Sequence, residues 1–394
     1  MNNFNFYAPT KIVFGKGSEN EVGKLVAQQK CRKVLLHYGS GSVKKTGLLE
    51  RVKKSLEEVG IDYTELGGVV PNPRLSLVRK GIEICKKENV DFLLAVGGGS
   101  VIDSAKAIGY GATNDFDVWE IFEKKNSPKA CLPIGVILTI AASGSEMSSS
   151  AVITNEDGWK KRGSHSDLCR PRFAIMNPEL TMTLPEYQTI CGATDILMHT
   201  MERYFTKGGN MMITDEIAEG LMRTVIANTR ILLKNPKDYD ARAEIMWAGS
   251  LSHNDLTGLG NYGDDFATHR LEHELGGMFD VAHGAGLAAL WGTWARYVVK
   301  DCTGRFKKFA LKVWNVSVKE TDSDLDIAMK GIEATEDFFR EIKMPTNMRE
   351  LGIKPTDEQI KELAEKCAAA TGGKVGSAKV LFKDDMLNIF EASR

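Results

Sequence analysis

The chain has 394 residues, 43% of them hydrophobic and 26% charged, and its 51 basic and 52 acidic side chains leave a formal charge of −1. That length carries two or three domains, the composition speaks against disorder, and the balanced charge excludes an electrostatic footprint for a nucleic-acid backbone or an anionic membrane. Seven cysteines, at 31, 85, 131, 169, 191, 302 and 367, make neither a disulfide framework nor a C-x-x-C metal site and read as free thiols of a reducing compartment. The first residues, Met1-Asn2-Asn3-Phe4-Asn5-Phe6-Tyr7, lack a basic region and an apolar core, and no uninterrupted run of about 18 apolar residues occurs, so a cytoplasmic protein is expected.

In chain order, residues 4–14 alternate Phe4, Phe6 and then Ile12-Val13-Phe14, which predicts an extended pair or hairpin ending at Gly15-Lys16-Gly17. An apolar edge so early in the chain invites pairing with a second copy, and a homodimer is expected. A helix is predicted over 21–28, a buried strand over 33–38, and an amphipathic helix over 43–59. The rhythm repeats with a strand over 62–66, a break at Pro71-Asn72-Pro73, a helix over 76–89 and a strand over 92–96, and further strands are predicted at 134–139, 151–154 and 173–176. Alternating strands and helices imply a parallel, doubly wound sheet. Beyond Pro185 the strand signal disappears, and helices are predicted over 214–233, 241–251, 287–299 and 324–342. The division is an α/β domain over 1–185 and a helical domain over 186–394.

Two turns in the first part are rich in glycine. Gly97-Gly98-Gly99-Ser100 follows an apolar strand and opens a helix that contains Asp103, so backbone N–H groups can approach a pyrophosphate at the positive end of the helix. Ile102 stands where a G-x-G-x-x-G fingerprint ends in glycine. The turn Gly39-Ser40-Gly41-Ser42 lacks the acid that would grip a ribose diol and is followed by Lys44-Lys45, chemistry that favours NADP(H) over NAD(H). A third run, from Thr139 through Ser143 to Ser150, ends another apolar strand with closely spaced hydroxyls.

The second part concentrates histidine. His269 and His273 are four apart and share a helical face, and Gly276-Gly277 lets the chain turn back to His283. Asp195 and His199 repeat the spacing of four on another apolar run. One carboxylate and imidazoles from two segments suit a single zinc, iron, copper or nickel ion acting as a Lewis acid. A rival reading comes from His269-Arg270-Leu271-Glu272-His273, which matches the H-x-x-E-H pattern of a metallopeptidase with Glu272 as base. A third reading is a metal- or nucleotide-binding protein without enzymatic activity.

With these motifs in place, the chain resembles the iron-dependent (group III) alcohol dehydrogenases over nearly its whole length, and within them the butanol dehydrogenase and broad aldehyde reductase branch. The resemblance rests on residues 39–47, 97–106 and 139–147, Asn177-Pro178, Thr183-Leu184-Pro185, residues 192–199 and residues 269–284. It implies a Rossmann-like N-terminal domain with an all-α C-terminal domain, the dehydroquinate synthase-like fold, holding cofactor and metal in the cleft between them. It further implies that Asp195, His199, His269 and His283 bind the metal and that His273 stands beside it without ligating; proton delivery is then expected through His273 or the ribose hydroxyl. Asn72, Gly97, Gly98, Gly99, Ser100, Asp103, Thr139, Ser143 and Lys161 are implied to line the dinucleotide site. The implied ion is Fe2+, with Zn2+ as a competitor, and the implied reaction is reversible hydride transfer between nicotinamide and a primary alcohol or aldehyde such as butanol or butanal. A polyol or phosphorylated polyol is the alternative substrate class within the same superfamily.

Overall fold

The computed structural model describes residues 1–207 and 209–394. The chain divides into two compact units, one made of Tyr7–Leu184 with Lys237–Ser250, the other of Met1–Phe6, Pro185–Pro236 and Leu251–Arg394.

The first unit carries strands β1 (Lys11–Phe14), β2 (Lys33–Gly39), β3 (Asp62–Val69), β4 (Phe92–Gly97), β5 (Ile134–Leu138), β6 (Ser150–Asn155), β7 (Lys160–His165) and β8 (Phe173–Met176). Between them run helices α1 (Val22–Ala27), α2 (Ser42–Lys45), α3 (Leu48–Glu57), α4 (Leu75–Glu88), α5 (Gly99–Thr113) and α6 (Trp119–Phe122). Six strands form one parallel sheet in the order β1-β8-β5-β4-β2-β3. β2, β4 and β5 are near-continuous apolar runs because helices cover both faces of such a sheet, and Val34, Leu36, Phe92, Leu94, Val96 and Ile137 are wholly buried. His37 lies among them: its Nδ1–H donates to the Leu66 carbonyl at 2.8 Å, so Nε2 accepts from the Ser104 hydroxyl at 2.8 Å. Burial pushes that imidazole down to about 4, which keeps it a neutral tie between β2 and α5.

The second unit is helical: α7 (Glu186–Tyr204), α8 (Met212–Lys234), the end of α9 (Tyr239–Ser252), α10 (Ala267–Phe279), α11 (His283–Val298), α12 (Thr303–Lys312), α13 (Asp324–Glu341), α14 (Asp357–Ala370) and α15 (Lys383–Ala392). Most of α9 belongs to the α/β unit. Phe205, Trp294, Phe306 and Phe309 cluster within the helical unit, with the Phe205 and Phe306 rings stacked 4.1 Å apart. No helix among the described residues is long and apolar enough to cross a membrane.

Three sequence expectations need correction. Residues 4–10 form no strand, so the early hairpin is absent; only Lys11–Phe14 pairs, in parallel with β8, and Pro9, which has no N–H, stands just ahead of it. The helix expected over 43–59 is two helices, because Gly47 takes a left-handed φ of 70° between α2 and α3. The strand expected over 151–154 is not part of the parallel sheet: it is β6, paired antiparallel with β7 around Gly158. β7 reads Lys160-Lys161-Arg162-Gly163-Ser164-His165, with no apolar alternation to announce it.

Candidate metal centre and nucleotide crevice

In the parallel sheet the chain steps from β2 outward to β3 and then returns to the other side of β2 to lay down β4. The carboxyl ends of β2 and β4 therefore flank a topological switch point, where open α/β sheets leave a crevice for a ligand. Tyr38 pairs with Val96, so the turn Gly39-Ser40-Gly41-Ser42 and the turn Gly97-Gly98-Gly99-Ser100 leave the sheet side by side. The second is packed too tightly for side chains: a Cβ on Gly97 would collide with Val101, one on Gly98 would come within 3.1 Å of Ile140, and one on Gly99 would collide with Ser143 Oγ. Thr139 adjoins them, its N–H donating to the Gly97 carbonyl at 3.1 Å. Gly39 differs, since the nearest atom to a Cβ there is the Val69 carbonyl oxygen at 3.6 Å, and packing places no demand for glycine. Asn72 is buried after β3 in a left-handed conformation (φ 54°), and Lys161 is buried on β7.

Asp103 and the serine-rich run form one network. Asp103 Oδ1 accepts from Ser145 Oγ at 2.5 Å and Oδ2 from the Val152 N–H at 2.9 Å. Lys106, one turn further along α5 and fully buried, donates to the carbonyls of Ser145 (2.7 Å), Ser148 (3.0 Å) and Ser150 (2.7 Å) and to the Ser145 hydroxyl (3.0 Å). A buried ammonium needs such acceptors, and here they wrap the loop after β5 around α5. Asp103 thus holds the crevice wall by way of Ser145.

The helical unit brings together the carboxylate and imidazoles singled out from the sequence. Ligand atoms of Asp195, His199 and His269 lie within 4.8 Å of one another, all three residues buried. Asp195 Oδ1 is the hub: His199 Nδ1 stands 3.2 Å from it, His283 Nε2 3.6 Å and His269 Nε2 3.7 Å. Bonds of about 2.1 Å at tetrahedral angles set neighbouring donors roughly 3.4 Å apart, so the spacing of Asp195 Oδ1 from the Nε2 atoms of His283 and His269 suits one small ion, while His199 Nδ1 donates to the Asp195 carbonyl and leaves Nε2 as its ligand atom. Asp195 Oδ1 and both ring nitrogens of His269 are buried without a hydrogen bond. A divalent cation between Asp195 Oδ1 and His269 Nε2 would satisfy those two atoms, while His269 Nδ1 faces Glu202. The side chain of His283 is 26% exposed and marks the open edge of the group. His273 is buried with its ring 6.0 Å from that of His283, one turn beyond His269 along α10 and outside the trio.

Burial pushes the Asp195 carboxyl up, but the neighbouring His199, His283 and His269 imidazoles outweigh it and hold the group well below the carboxylate range. Burial drives His199 well below the ordinary imidazole value against the pull of Asp195. Burial would lower His269 as well, yet the charges of Glu202 and Asp195 raise it to about 9.

Family models for the iron-containing alcohol dehydrogenases match residues 9–178, and the model of that family's C-terminal part matches residues 189–394. The chain belongs to the iron-containing alcohol dehydrogenase family. It is 41% identical to the probable NADH-dependent butanol dehydrogenase 1 of Bacillus subtilis, with 100% of each chain covered. It is 37% identical, again over 100% of both chains, to the NADPH-dependent aldehyde reductase YqhD of Escherichia coli. Its fold superposes on the crystal structure of the NADH-dependent butanol dehydrogenase A of Thermotoga maritima with a TM-score of 0.95, at 38% identity, covering 100% of this chain and 99% of that one. As a member of that family the chain is a metal-dependent alcohol dehydrogenase, and the peptidase reading falls. Glu272, the base that reading requires, is fully buried and bonded through Oε2 to His283 Nδ1.

The dehydrogenase centre has partners that sequence reasoning did not name. Glu202 Oε2 stands 3.0 Å from His269 Nδ1, at ion-pair distance but not aligned as a hydrogen bond, and Glu202 Oε1 accepts from the His269 backbone N–H at 3.0 Å. Its signal was available: Glu202 follows His199 by three residues on α7. His199 Nδ1 lies 3.0 Å from the Asp195 carbonyl, one turn back on its own helix. His253 packs against His199 with ring centroids 4.1 Å apart and the planes tilted by 46°, and Arg203 Nη2 donates to its Nδ1 at 3.0 Å, which places the proton of a neutral His253 on Nε2. A lone histidine far along the chain carries no such signal.

Proposed function

We propose that this dehydrogenase interconverts short primary alcohols and aldehydes, with butanol and butanal as the model pair, using a nicotinamide nucleotide bound in residues 1–185 and a metal held in residues 186–394. The observation that carries the reading is the buried Asp195, His199, His269 group with donor atoms lacking hydrogen bonds. The relatives support it, because two of them are named for butanol and one for aldehydes. In this reading Asp195, His199, His269 and His283 hold the ion, Fe2+ with Zn2+ as a competitor that binds such donors more tightly. When bound, the ion supplies Lewis acidity toward the carbonyl oxygen and the nicotinamide supplies the hydride. Gly97, Gly98, Gly99 and Ser100 offer backbone N–H groups to the pyrophosphate at the start of α5, with Asn72, Thr139, Ser143 and Lys161 lining the site and Asp103 bracing it. His273 moves the proton to the product oxygen.

The nucleotide is NADP(H) in this reading. Support comes from Gly39, which puts no acidic side chain where one would repel a 2′-phosphate, and from the lysines Lys44 and Lys45 that follow. Ser40, Gly41 and Ser42 complete that turn. The assembled state is a homodimer, supported by β1, an edge strand with exposed Phe14, and by exposed Phe4, Phe6 and Tyr7 ahead of it. The test of the function is oxidation of NADPH and NADH with butanal, by metal-stripped protein before and after reloading with Fe2+ or Zn2+. Butanal-dependent oxidation only after reloading is expected, and its absence with both nucleotides and both ions sinks the reading.

A further inference from the structure

Of the three residues that define the H-x-x-E-H pattern, His269, Glu272 and His273, Glu272 is the one that neither the metal-ligand set nor proton delivery uses. It is 0% exposed, and a buried carboxylate needs a reason. Its Oε2 meets Nδ1 of His283, eleven residues away on α11, while Nε2 of the same ring faces Asp195 Oδ1 at 3.6 Å. Room for it is made by Gly286 on α11: a Cβ at that position would lie 3.0 Å from Glu272 Cγ and 3.1 Å from Oε1. Such distances are tighter than side chains ordinarily tolerate, so glycine there and glutamate at 272 fit one another. His283 has the most exposed of the three imidazoles, with 26% of its side chain open, and is therefore the ligand least held by packing.

We propose that Glu272 is a positioning residue for the metal centre, fixing His283 as the Nδ1–H tautomer with Nε2 turned to the ion and adding a negative charge behind that ligand. The proposal rests on the reading of His283 as a metal ligand. With Asp195 and Glu202 it brings the carboxylates around the site to three, so the charge of a divalent ion is more than neutralised and the ion is retained at the open edge. Carboxylates behind ligating imidazoles orient the ring and raise its basicity.

The test is a titration of metal-stripped full-length protein with Co2+, whose d–d absorption reports donor set and coordination number. Glu272→Leu is expected to weaken Co2+ binding roughly 10- to 100-fold and shift the band. Glu272→Gln, whose amide oxygen still accepts from Nδ1–H, should fall between that variant and the parent. Gly286→Ala, which leaves every ionisable group in place but crowds Glu272, should weaken binding in the same direction. His283→Ala is the control. If it binds Co2+ as the parent does, the ligand assignment itself is wrong. If His283→Ala loses affinity while Glu272→Gln and Gly286→Ala keep parental affinity and spectrum, the positioning role alone is overturned. A purely structural Glu272 would lower the melting temperature of its variants and leave the Co2+ band where it was.

Discussion

At the scale of single residues, the separation of His269 from His273 is the sharpest statement the centre makes. His269 presents Nε2 to Asp195 and is backed by Glu202, whereas His273, one turn along α10, lies outside the group of ligand atoms. His273→Ala is expected to keep its metal and lose about 100-fold in turnover, since a positioned proton donor is worth roughly that much. His269→Ala should lose metal and turnover together, because it also leaves the buried Asp195 and Glu202 charges uncompensated. Metal analysis of both purified variants checks this, and a metal-free, folded His273→Ala protein contradicts it. Gly39 gives a second residue-scale outcome. A Cβ fits at that position, so Gly39→Asp should fold normally and lower kcat/KM for NADPH more than for NADH. Equal losses with both nucleotides would show that this turn does not read the 2′-position. The two-glycine turns and the paired Asp and His spacings were legible because each is written within a few residues. Lys106 was legible only as part of a motif: nothing local says that a lysine is the fully buried post of a serine loop some 40 positions on.

At the scale of elements, α10 is held at its start by Asp265. Oδ1 accepts from the Ala267 N–H at 3.0 Å, and Oδ2 accepts from Ser377 and Ala378 N–H groups at 2.6 and 2.8 Å, which clasps the loop before α15 onto the helix that carries His269. The clasp also keeps Phe266 in a left-handed conformation (φ 49°), a strained choice for an aromatic residue. Burial first, and the Glu202 charge second, push the Asp265 carboxyl up to about 7 against those N–H donors. The folded state therefore takes up this proton more readily than the unfolded chain, whose aspartate has the ordinary value near 4. The stabilising contribution is full below pH about 4 and declines as pH rises to about 7, beyond which it is constant. Comparing the parent with Asp265→Asn, the parent's melting temperature should fall more between pH 5 and pH 8. Identical pH profiles would mean that Asp265 is ionised throughout. Element types were mostly readable from periodicity, but the break at Gly47 and the polar strand β7 were not, since one depends on a single φ angle and the other on pairing with β6.

At the scale of the whole molecule, the edge strand β1 is the feature that bears on assembly. It pairs on one side with β8, lies at the end of the sheet and exposes Phe14, with Phe4, Phe6 and Tyr7 exposed ahead of it. An edge of this kind is a liability for a lone chain and a resource for a symmetric pair. Light scattering is expected to give twice the 43.4 kDa chain mass at micromolar concentration. Removal of residues 1–10 should shift the equilibrium toward monomer, and a monomeric full-length chain rules out the proposal.

The sequence by itself determined the class of fold, the two glycine-rich turns, the Asp195 and His199 pair and the cluster of His269, His273 and His283, because helical spacing and strand rhythm act over a few residues and survive any packing. Tertiary structure decided what those residues meet. Glu272 reaches His283 from another helix, Arg203 orients His253 across 50 positions, and the side-by-side exit of the turns after β2 and β4 follows from strand order. The physical reason is one of range: backbone geometry is set locally, whereas the desolvation of a buried charge is relieved by whichever partner the packed chain brings within a hydrogen bond.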